Sequence, residues 1–154
     1  MAQGEKLIAQ NRRARHDFQV FERHEAGIAL RGTEVKSLRN GKVSFKDSYA
    51  DLVDGELYLK GVHIATYEQG NIHNHDPERP RKLLMHKDEL IRLGIKKAEK
   101  GLTLVPLRLY FKNGKAKVEI GLCKGKQKAD KRETLRERVA ERETDRYLKE
   151  QKHR

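Results

Sequence analysis

The chain has 154 residues, and its 35 Lys and Arg against 23 Asp and Glu give a net charge of +12. This length predicts one domain with an extension, and an apolar content of only 36% restricts a core to part of the chain. The charge predicts a polyanionic partner, because a strongly basic chain is typical of nucleic-acid binding, and the single cysteine, Cys123, excludes an internal disulfide framework.

The N-terminus, MAQGEKLIAQNRR, lacks the apolar stretch of a signal peptide. No run approaches the roughly 20 apolar residues of a membrane-spanning helix. Because one cysteine also fits a reducing compartment, we expect a cytoplasmic protein with no membrane partner. The charge alone has an alternative explanation, since a high net charge also keeps proteins dispersed.

Alternation of apolar and polar side chains predicts β-strands between residues 18 and 122. The alternation changes phase at Gly61 and at Pro106. This predicts a bulge or bend, because proline cannot donate a ladder hydrogen bond and glycine often marks such sites. Asp54-Gly55 and Asn113-Gly114 favour type I′ turns, so each predicts an antiparallel hairpin. The alternating segments are FQV, GIAL, ELYLKGVHI, LTLVPLRLYF and KVEIGL.

Helical patterns are fewer. TEVKSLRNG predicts a short helix with Thr33 as its N-cap and Gly41 beyond its end. HKDELIRLG predicts a helix that stops at Gly94, and IKKAEKG a further turn that ends at Gly101. EQGNIHNHDPERPRK predicts a long loop. Together these elements predict a mainly β fold, an OB-like antiparallel barrel of five or six strands with short flanking helices, with an SH3-like barrel as the alternative.

Candidate catalytic and metal-binding groups are few. His73, His75 and Asp76 lie close in sequence, but their spacing matches no closed zinc site, so a polar loop is favoured. The serines of SFKDSYA lack the glycine pattern of a nucleophile elbow. Cys123 ends an apolar strand and is better explained as a small buried side chain. We expect no catalytic residue, metal ion or cofactor, and no enzymatic activity.

Basic clusters give better evidence, because phosphates are held by such groups without base reading. For any single cluster a solvated surface is the simpler interpretation. Glu25 lies within the apolar stretch HEAGIAL, where a carboxylate is costly unless paired. It either pairs with an arginine such as Arg23 or accepts hydrogen bonds from a base edge or an RNA 2′-hydroxyl. The basic residues predicted to bind RNA are Arg12, Arg13, Arg15, Arg81, Lys82, Lys117, Lys124, Lys126 and Lys128.

The C-terminal segment, residues 124–154, contains 12 Lys or Arg and 7 Asp or Glu. From Asp130 onward it has no Gly or Pro, so it can become a helix, but no apolar stripe would dock it on a barrel. Arg138, Arg142 and Arg146 are four residues apart, and like charges at this spacing repel. We expect a tail that is disordered alone and helical against a polyanion. A solubilising tail is the alternative.

Several blocks of the sequence, in order and over nearly the whole chain, resemble the successive signature blocks of the SmpB family, the bacterial SsrA-binding proteins. The blocks are NRRARHDF, EAGIALRGTEVKSLR, SFKDSYA, RKLLM, GLTLVPLRLYFKNGKAKVEIGLCKGK and ADKRETLRER. The resemblance implies an OB-like barrel that binds the tRNA-like domain of tmRNA, acts as a monomer and delivers tmRNA to stalled ribosomes for trans-translation. The alternative from the residues is a constitutive ribosomal protein that binds rRNA.

The resemblance also implies site residues. It assigns tmRNA contacts to Asn11, Glu25 and Leu84, supported by the lysines already named. It implies a barrel over 1–123 and a tail over 124–154 that becomes helical in the empty mRNA channel of the ribosome. Ala129 departs from the His or Tyr usual in the family, so a stacking contact would be lost there. The tail positions assigned to the decoding centre and channel are Asp130, Lys131, Arg132, Tyr147 and Leu148, beside the arginine row.

Overall fold

The computed structural model describes residues 4–67, 74–125 and 142. These residues form nine strands and three helices before residue 126. The strands are β1 (Glu5–Gln10), β2 (Phe18–Ile28), β3 (Val43–Ser44), β4 (Tyr49–Val53), β5 (Glu56–Lys60), β6 (His63–Ile64), β7 (Arg81–Leu84), β8 (Thr103–Lys112) and β9 (Lys115–Gly125). The helices are α1 (Arg12–Asp17), α2 (Gly32–Arg39) and α3 (Lys87–Lys100).

Six of the strands in this described part close into an antiparallel barrel. Their order is β8-β4-β5-β7-β2-β9, and β9 pairs back with β8 to complete the ring. Strand β1 adds to the other edge of β8, along Arg108–Lys112, while β4 meets that edge at Leu104. The predicted OB-like barrel is confirmed. Its six strands are the larger of the two predicted numbers, five or six.

The core follows from period-two alternation, since every second side chain of a barrel strand points inward. Leu57 and Leu59 of β5 and Val118 and Ile120 of β9 are fully buried. Leu93 of α3 joins the same cluster and closes one end of the barrel. Burial of each such side chain contributes about 1.5–3 kcal/mol.

Both predicted hairpins are present. Asp54 and Gly55 have φ angles of 52° and 80°, and Asn113 and Gly114 have 52° and 77°. Positive φ at both central residues is what a type I′ turn requires. The turns join β4 to β5 and β8 to β9.

The predicted phase changes also correspond to structural breaks. The β8–β9 register shifts between Pro106 and Arg108, as expected for a proline at a bulge. Gly61 has φ of 81° and ends β5, and a Cβ there would lie 2.8 Å from the Asp47 carbonyl oxygen. The chain bends there into β6, which pairs with β3 in a separate two-stranded sheet.

Two details of the predicted helices are wrong. Helix α2 has Arg31, not Thr33, at its N-cap, and Thr33 lies inside the helix with its hydroxyl 2.8 Å from Nδ1 of His75. Helix α3 does not stop at Gly94 but continues to Gly101, which ends it with φ of 60°. An interior glycine costs about 1 kcal/mol, and the burial of Leu93 beside it outweighs this cost. Neither α3 nor the other described helices are long and apolar enough to cross a membrane.

Candidate nucleic-acid interface

The outer surface of the barrel brings several predicted site residues together along β2, β9 and β7. Cross-strand register places Glu25 opposite Glu119 and places Gly27 opposite both Lys117 and Leu84. Neighbouring strands are about 4.8 Å apart, so these side chains form one continuous surface. We call this surface the barrel wall; it comprises Arg23, Glu25, Gly27, Lys82, Leu84, Lys117 and Glu119.

Gly27 lets an apolar side chain lie across the middle of the barrel wall. A Cβ at Gly27 would come 3.3 Å from the Cβ of Leu84. Leu84 is 53% exposed, because it faces the opposite side of β7 from buried Leu83. The wall therefore presents one apolar group between charged ones, a surface suited to a sugar or base as well as to phosphate.

Glu25 is an accessible carboxylate, and its partners differ from those the sequence suggested. Its Oε2 lies 3.3 Å from Nζ of Lys112, and the side chain remains 39% exposed. A hydrogen bond from the buried Tyr110 hydroxyl lowers the pKa of Glu25, and Lys112 adds to the effect. Burial and this same bond raise the pKa of Tyr110. Arg23 pairs instead with Glu119, at 3.5 Å. Glu25 is thus an ionised acceptor with lone pairs still open to a ligand.

Arg108 is a site residue that sequence reasoning missed. Its Nε donates to Glu119 Oε2 at 2.9 Å, its Nη1 donates to Glu5, and its guanidinium lies 4.4 Å from the centre of the Tyr110 ring. The two carboxylates raise the pKa of Arg108. The bulge after Pro106 turns Arg108 outward, and the alternation of LRLYF beyond that proline was the available clue.

Helix α1 divides its arginines between two grooves. Asn11 caps the helix: its Oδ1 accepts from the Ala14 amide at 3.3 Å and its Nδ2 donates to the Pro106 carbonyl at 2.8 Å. Arg12 and Arg15 border a groove with Arg23 and Arg108 of the strands. Arg13 lines a separate groove with Lys46, Asp47 and Tyr49, and it lies 3.5 Å from Asp17. The predicted NRRAR cluster is therefore not one binding site.

Beneath α1, the burial predicted for Cys123 is observed. The thiol is fully buried against Ala14 and Val105, and desolvation raises its pKa to about 11. At neutral pH the group is a thiol and not the nucleophilic thiolate.

The prediction that Arg81 binds RNA is not supported, because its side chain is fully buried. Its guanidinium donates to Glu34 Oε2 at 2.6 Å, to the Val62 carbonyl at 2.6 Å and to the Pro77 carbonyl at 2.9 Å. Burial raises the pKa of Glu34, but hydrogen bonds from the Arg31 amide, Arg79 and Arg81 outweigh it and leave that pKa below its ordinary value. Arg81 joins β7 to α2 and is not part of the outer surface.

The predicted lysines do not converge on one point. Lys82 points outward from β7 and donates to Glu56 Oε1 at 2.9 Å. Lys117 is half-buried in the middle of the barrel wall, and Lys124 is exposed near the end of the same strand, opposite Gln19. Seven residue steps along the strand place these two lysines about 23 Å apart. Lys126 and Lys128 lie outside the described residues.

Most predicted tail positions also lie outside the described residues: Ala129, Asp130, Lys131, Arg132, Arg138, Arg146, Tyr147 and Leu148. Arg142 is described, as an exposed helical residue. It borders the groove formed by Arg12, Arg15, Arg23 and Arg108.

The histidine loop is used structurally where it is described. His75 is buried, with Nε2 2.9 Å from the Ile64 carbonyl oxygen and Nδ1 facing Thr33. Asp76 accepts from the Glu78 amide at 3.0 Å. His73 lies outside the described residues, and within residues 4–67 and 74–125 no three His, Cys, Asp or Glu side chains are grouped to hold a metal ion.

Comparison with known proteins gives consistent matches. A family model described as SmpB protein matches residues 8–150. The chain is 59% identical over 145 residues to an SsrA-binding protein of Carboxydothermus hydrogenoformans, covering 94% of this chain and 97% of that one. It is 54% identical over 151 residues to an SsrA-binding protein of Geobacillus thermodenitrificans, covering 97% of both. A solved structure described as "tmRNA-SmpB: a journey to the center of the bacterial ribosome" is 57% identical, with a TM-score of 0.67, covering 83% of this chain and 94% of that one.

Proposed function

This chain belongs to the SmpB family, and from that membership we propose that it binds tmRNA and delivers it to stalled ribosomes, where trans-translation rescues the ribosome and tags the unfinished peptide. The observation that carries the proposal is the match, in both sequence and fold, to the SmpB chain of a tmRNA–ribosome structure. The partners are the tRNA-like domain of tmRNA and the RNA of the small ribosomal subunit.

We propose that the barrel wall and the arginine groove hold the folded RNA. Lys82 and Lys117 supply phosphate contacts, which fix orientation without reading bases. Glu25 accepts from a 2′-hydroxyl or an amino group, the donors that distinguish RNA from bare phosphate. Leu84 packs against a sugar or base. Arg12 and Arg15 extend the basic surface to α1, and Asn11 supports it by capping that helix.

We further propose that the chain is divided into a barrel, residues 1–123, and a separate arm, residues 124–154, that becomes helical in the empty mRNA channel. The support is compositional: the arm combines helix-forming residues with rows of like charge, which favour order only against a polyanion. Asp130, Lys131 and Arg132 would act near the decoding centre. Arg138, Arg142, Arg146, Tyr147 and Leu148 would lie along the channel. With alanine at 129, this arm would work without a stacking contact there.

The proposed activity is binding and not catalysis. The support is the family, which is one of RNA-binding proteins. We propose that the chain acts as a monomer in the cytoplasm, where ribosomes translate, without a cofactor.

Sequencing the RNA that co-purifies with the full chain tests this function. We expect tmRNA to be enriched over rRNA, and the protein to sediment with ribosomes only when tmRNA is present. A chain that stays in stoichiometric amounts on washed subunits from cells without tmRNA is a constitutive ribosomal protein, and the proposal would then be wrong.

A further inference from the structure

Four cations on and beside the barrel wall, Arg23, Lys82, Arg108 and Lys112, are held by carboxylates in the folded chain. Lys82 Nζ lies 2.9 Å from Glu56 Oε1, and the Tyr58 hydroxyl donates to the other oxygen of Glu56 at 2.9 Å. Glu56 and Lys82 are both nearly half exposed, 47% and 44%. The pair is thus formed on an open surface and is not a consequence of burial.

The same arrangement recurs across the neighbouring strands. Lys112 pairs with Glu25, and Arg108 pairs with both Glu5 and Glu119. Arg23 also reaches Glu119. The wall and its margins therefore alternate hydrogen-bond donors and acceptors, whereas a surface built only to attract polyanions would present cations without nearby carboxylates.

This alternation discriminates between ligands by their chemistry. A bare phosphate backbone offers acceptors, so it must compete with the carboxylates for each cation and is repelled by them. An RNA fold that places hydroxyl or amino donors on the carboxylates and phosphates on the cations satisfies both sets. Specificity gained by opposing the wrong ligand is a common property of selective interfaces.

We propose that Glu56 is a specificity-determining residue: by holding Lys82 and presenting its own negative charge, it disfavours nucleic acids that offer only phosphate to this part of the wall. The inference rests on the proposed function, since the favoured ligand is the tRNA-like domain of tmRNA. Glu56 is the position best suited to a test, because it is the first residue of β5 and its side chain is not part of the core.

The test compares the full chain with E56Q, using two probes in equilibrium binding at several salt concentrations. One probe is the tRNA-like domain of tmRNA, and the other is a duplex DNA of similar length, which has phosphates but no 2′-hydroxyls. We expect E56Q to bind the duplex roughly two- to fivefold more tightly, the range of an exposed ion pair. A plot of the logarithm of its affinity for the duplex against the logarithm of the salt concentration should become steeper by about one, because Lys82 is then free to make one more phosphate contact. Affinity for the tRNA-like domain should change less than twofold.

Two controls show whether the effect acts through Lys82. E99Q makes the same charge change on the last turn of α3 and should leave the ratio of the two affinities unchanged. In a K82Q background, E56Q should no longer steepen the salt slope, although any general charge effect would persist.

The outcomes separate this inference from the proposed function. Equal tightening toward both probes, an equal effect of E99Q, or a slope change that survives in the K82Q background each overturns the role of Glu56. A wild-type chain with no preference for the tRNA-like domain over the duplex overturns the proposed function, and the inference with it.

Discussion

Arg81 and Lys82 are neighbours on β7, yet we expect their substitution to affect different properties. Arg81 is fully buried and donates three hydrogen bonds, one of them to the buried carboxylate of Glu34. Removing one partner of a buried ion pair costs about 3–5 kcal/mol. Because Arg79 still contacts Glu34, we expect Arg81→Ala to lower the free energy of unfolding by about 3 kcal/mol, the lower end of that range. For Lys82→Ala the exposed pair with Glu56 sets a limit of about 1 kcal/mol.

Urea denaturation and RNA binding, measured on both variants, separate the two roles. Lys82→Ala should bind the tRNA-like domain more weakly at nearly unchanged stability. Arg81→Ala should be much less stable, but its folded protein, assayed without urea, should bind the tRNA-like domain with nearly the affinity of the wild type. Arg81→Lys is the sharper control, because lysine keeps the charge but not the planar set of donors. We expect it to remain destabilised by roughly 2 kcal/mol. If the free energy of unfolding of Arg81→Ala lies within about 1 kcal/mol of the wild-type value while its affinity for RNA falls, then Arg81 faces the RNA and is not a buried structural residue.

Three further predictions follow from the site. Glu25→Ala should weaken binding to the tRNA-like domain roughly tenfold, the effect of one charged hydrogen bond, with little change in thermal melting; a collapsed melting transition would make Glu25 structural. A chain ending at Cys123 should keep most of its affinity for tmRNA but fail to support peptide tagging on stalled ribosomes in a translation assay, and tagging by that chain would contradict the division into barrel and arm. Because the pKa of Glu34 is lowered in the folded state, its contribution to stability is present above about pH 5 and is lost as pH falls through the folded pKa. Glu34→Gln should remove this part of the pH dependence of the urea midpoint. If the wild type and Glu34→Gln show the same dependence of the urea midpoint on pH, the prediction is wrong.

Local chemistry explains which parts of the fold were predictable. Asp54-Gly55 and Asn113-Gly114 need positive φ at two successive residues, so the sequence alone places both hairpins. Pro106 lacks an amide proton, so a break in the ladder follows wherever it occurs in a strand. At Gly94 the local preference is overridden by the packing of α3 on the barrel, which no short segment encodes.

The elements that were missed are short. Helix α1 has six residues and β7 has four, too few for a periodic pattern to stand out. Strand β7 also follows a proline-rich stretch that predicts a loop. Its position is determined by pairing with β5 on one side and β2 on the other, and such non-local contacts are not visible in the residues of β7 themselves.

The site was predictable in its residue types but not in its arrangement. Glu25 and Leu84 lie far apart in sequence, and only the register of β2 with β7 brings them together over Gly27. The error at Arg81 has a similar origin. Adjacent strand residues face opposite sides, and the carboxylate that draws Arg81 inward is Glu34, 47 residues earlier.

The two parts of the chain use their charge in different ways, and this difference has a consequence for binding. On the barrel, Lys82, Lys112 and Arg108 each have a carboxylate partner from another strand, so these three cations gain little from phosphate alone. In the tail sequence, arginines recur every four residues, a spacing at which like charges would repel one another on a helix, and in the function that we propose the phosphates of a ribosomal groove relieve this repulsion. The affinity of the barrel for tmRNA should therefore fall less steeply with salt than its number of Lys and Arg side chains alone would predict. The contribution of the tail to ribosome binding should fall steeply as salt increases.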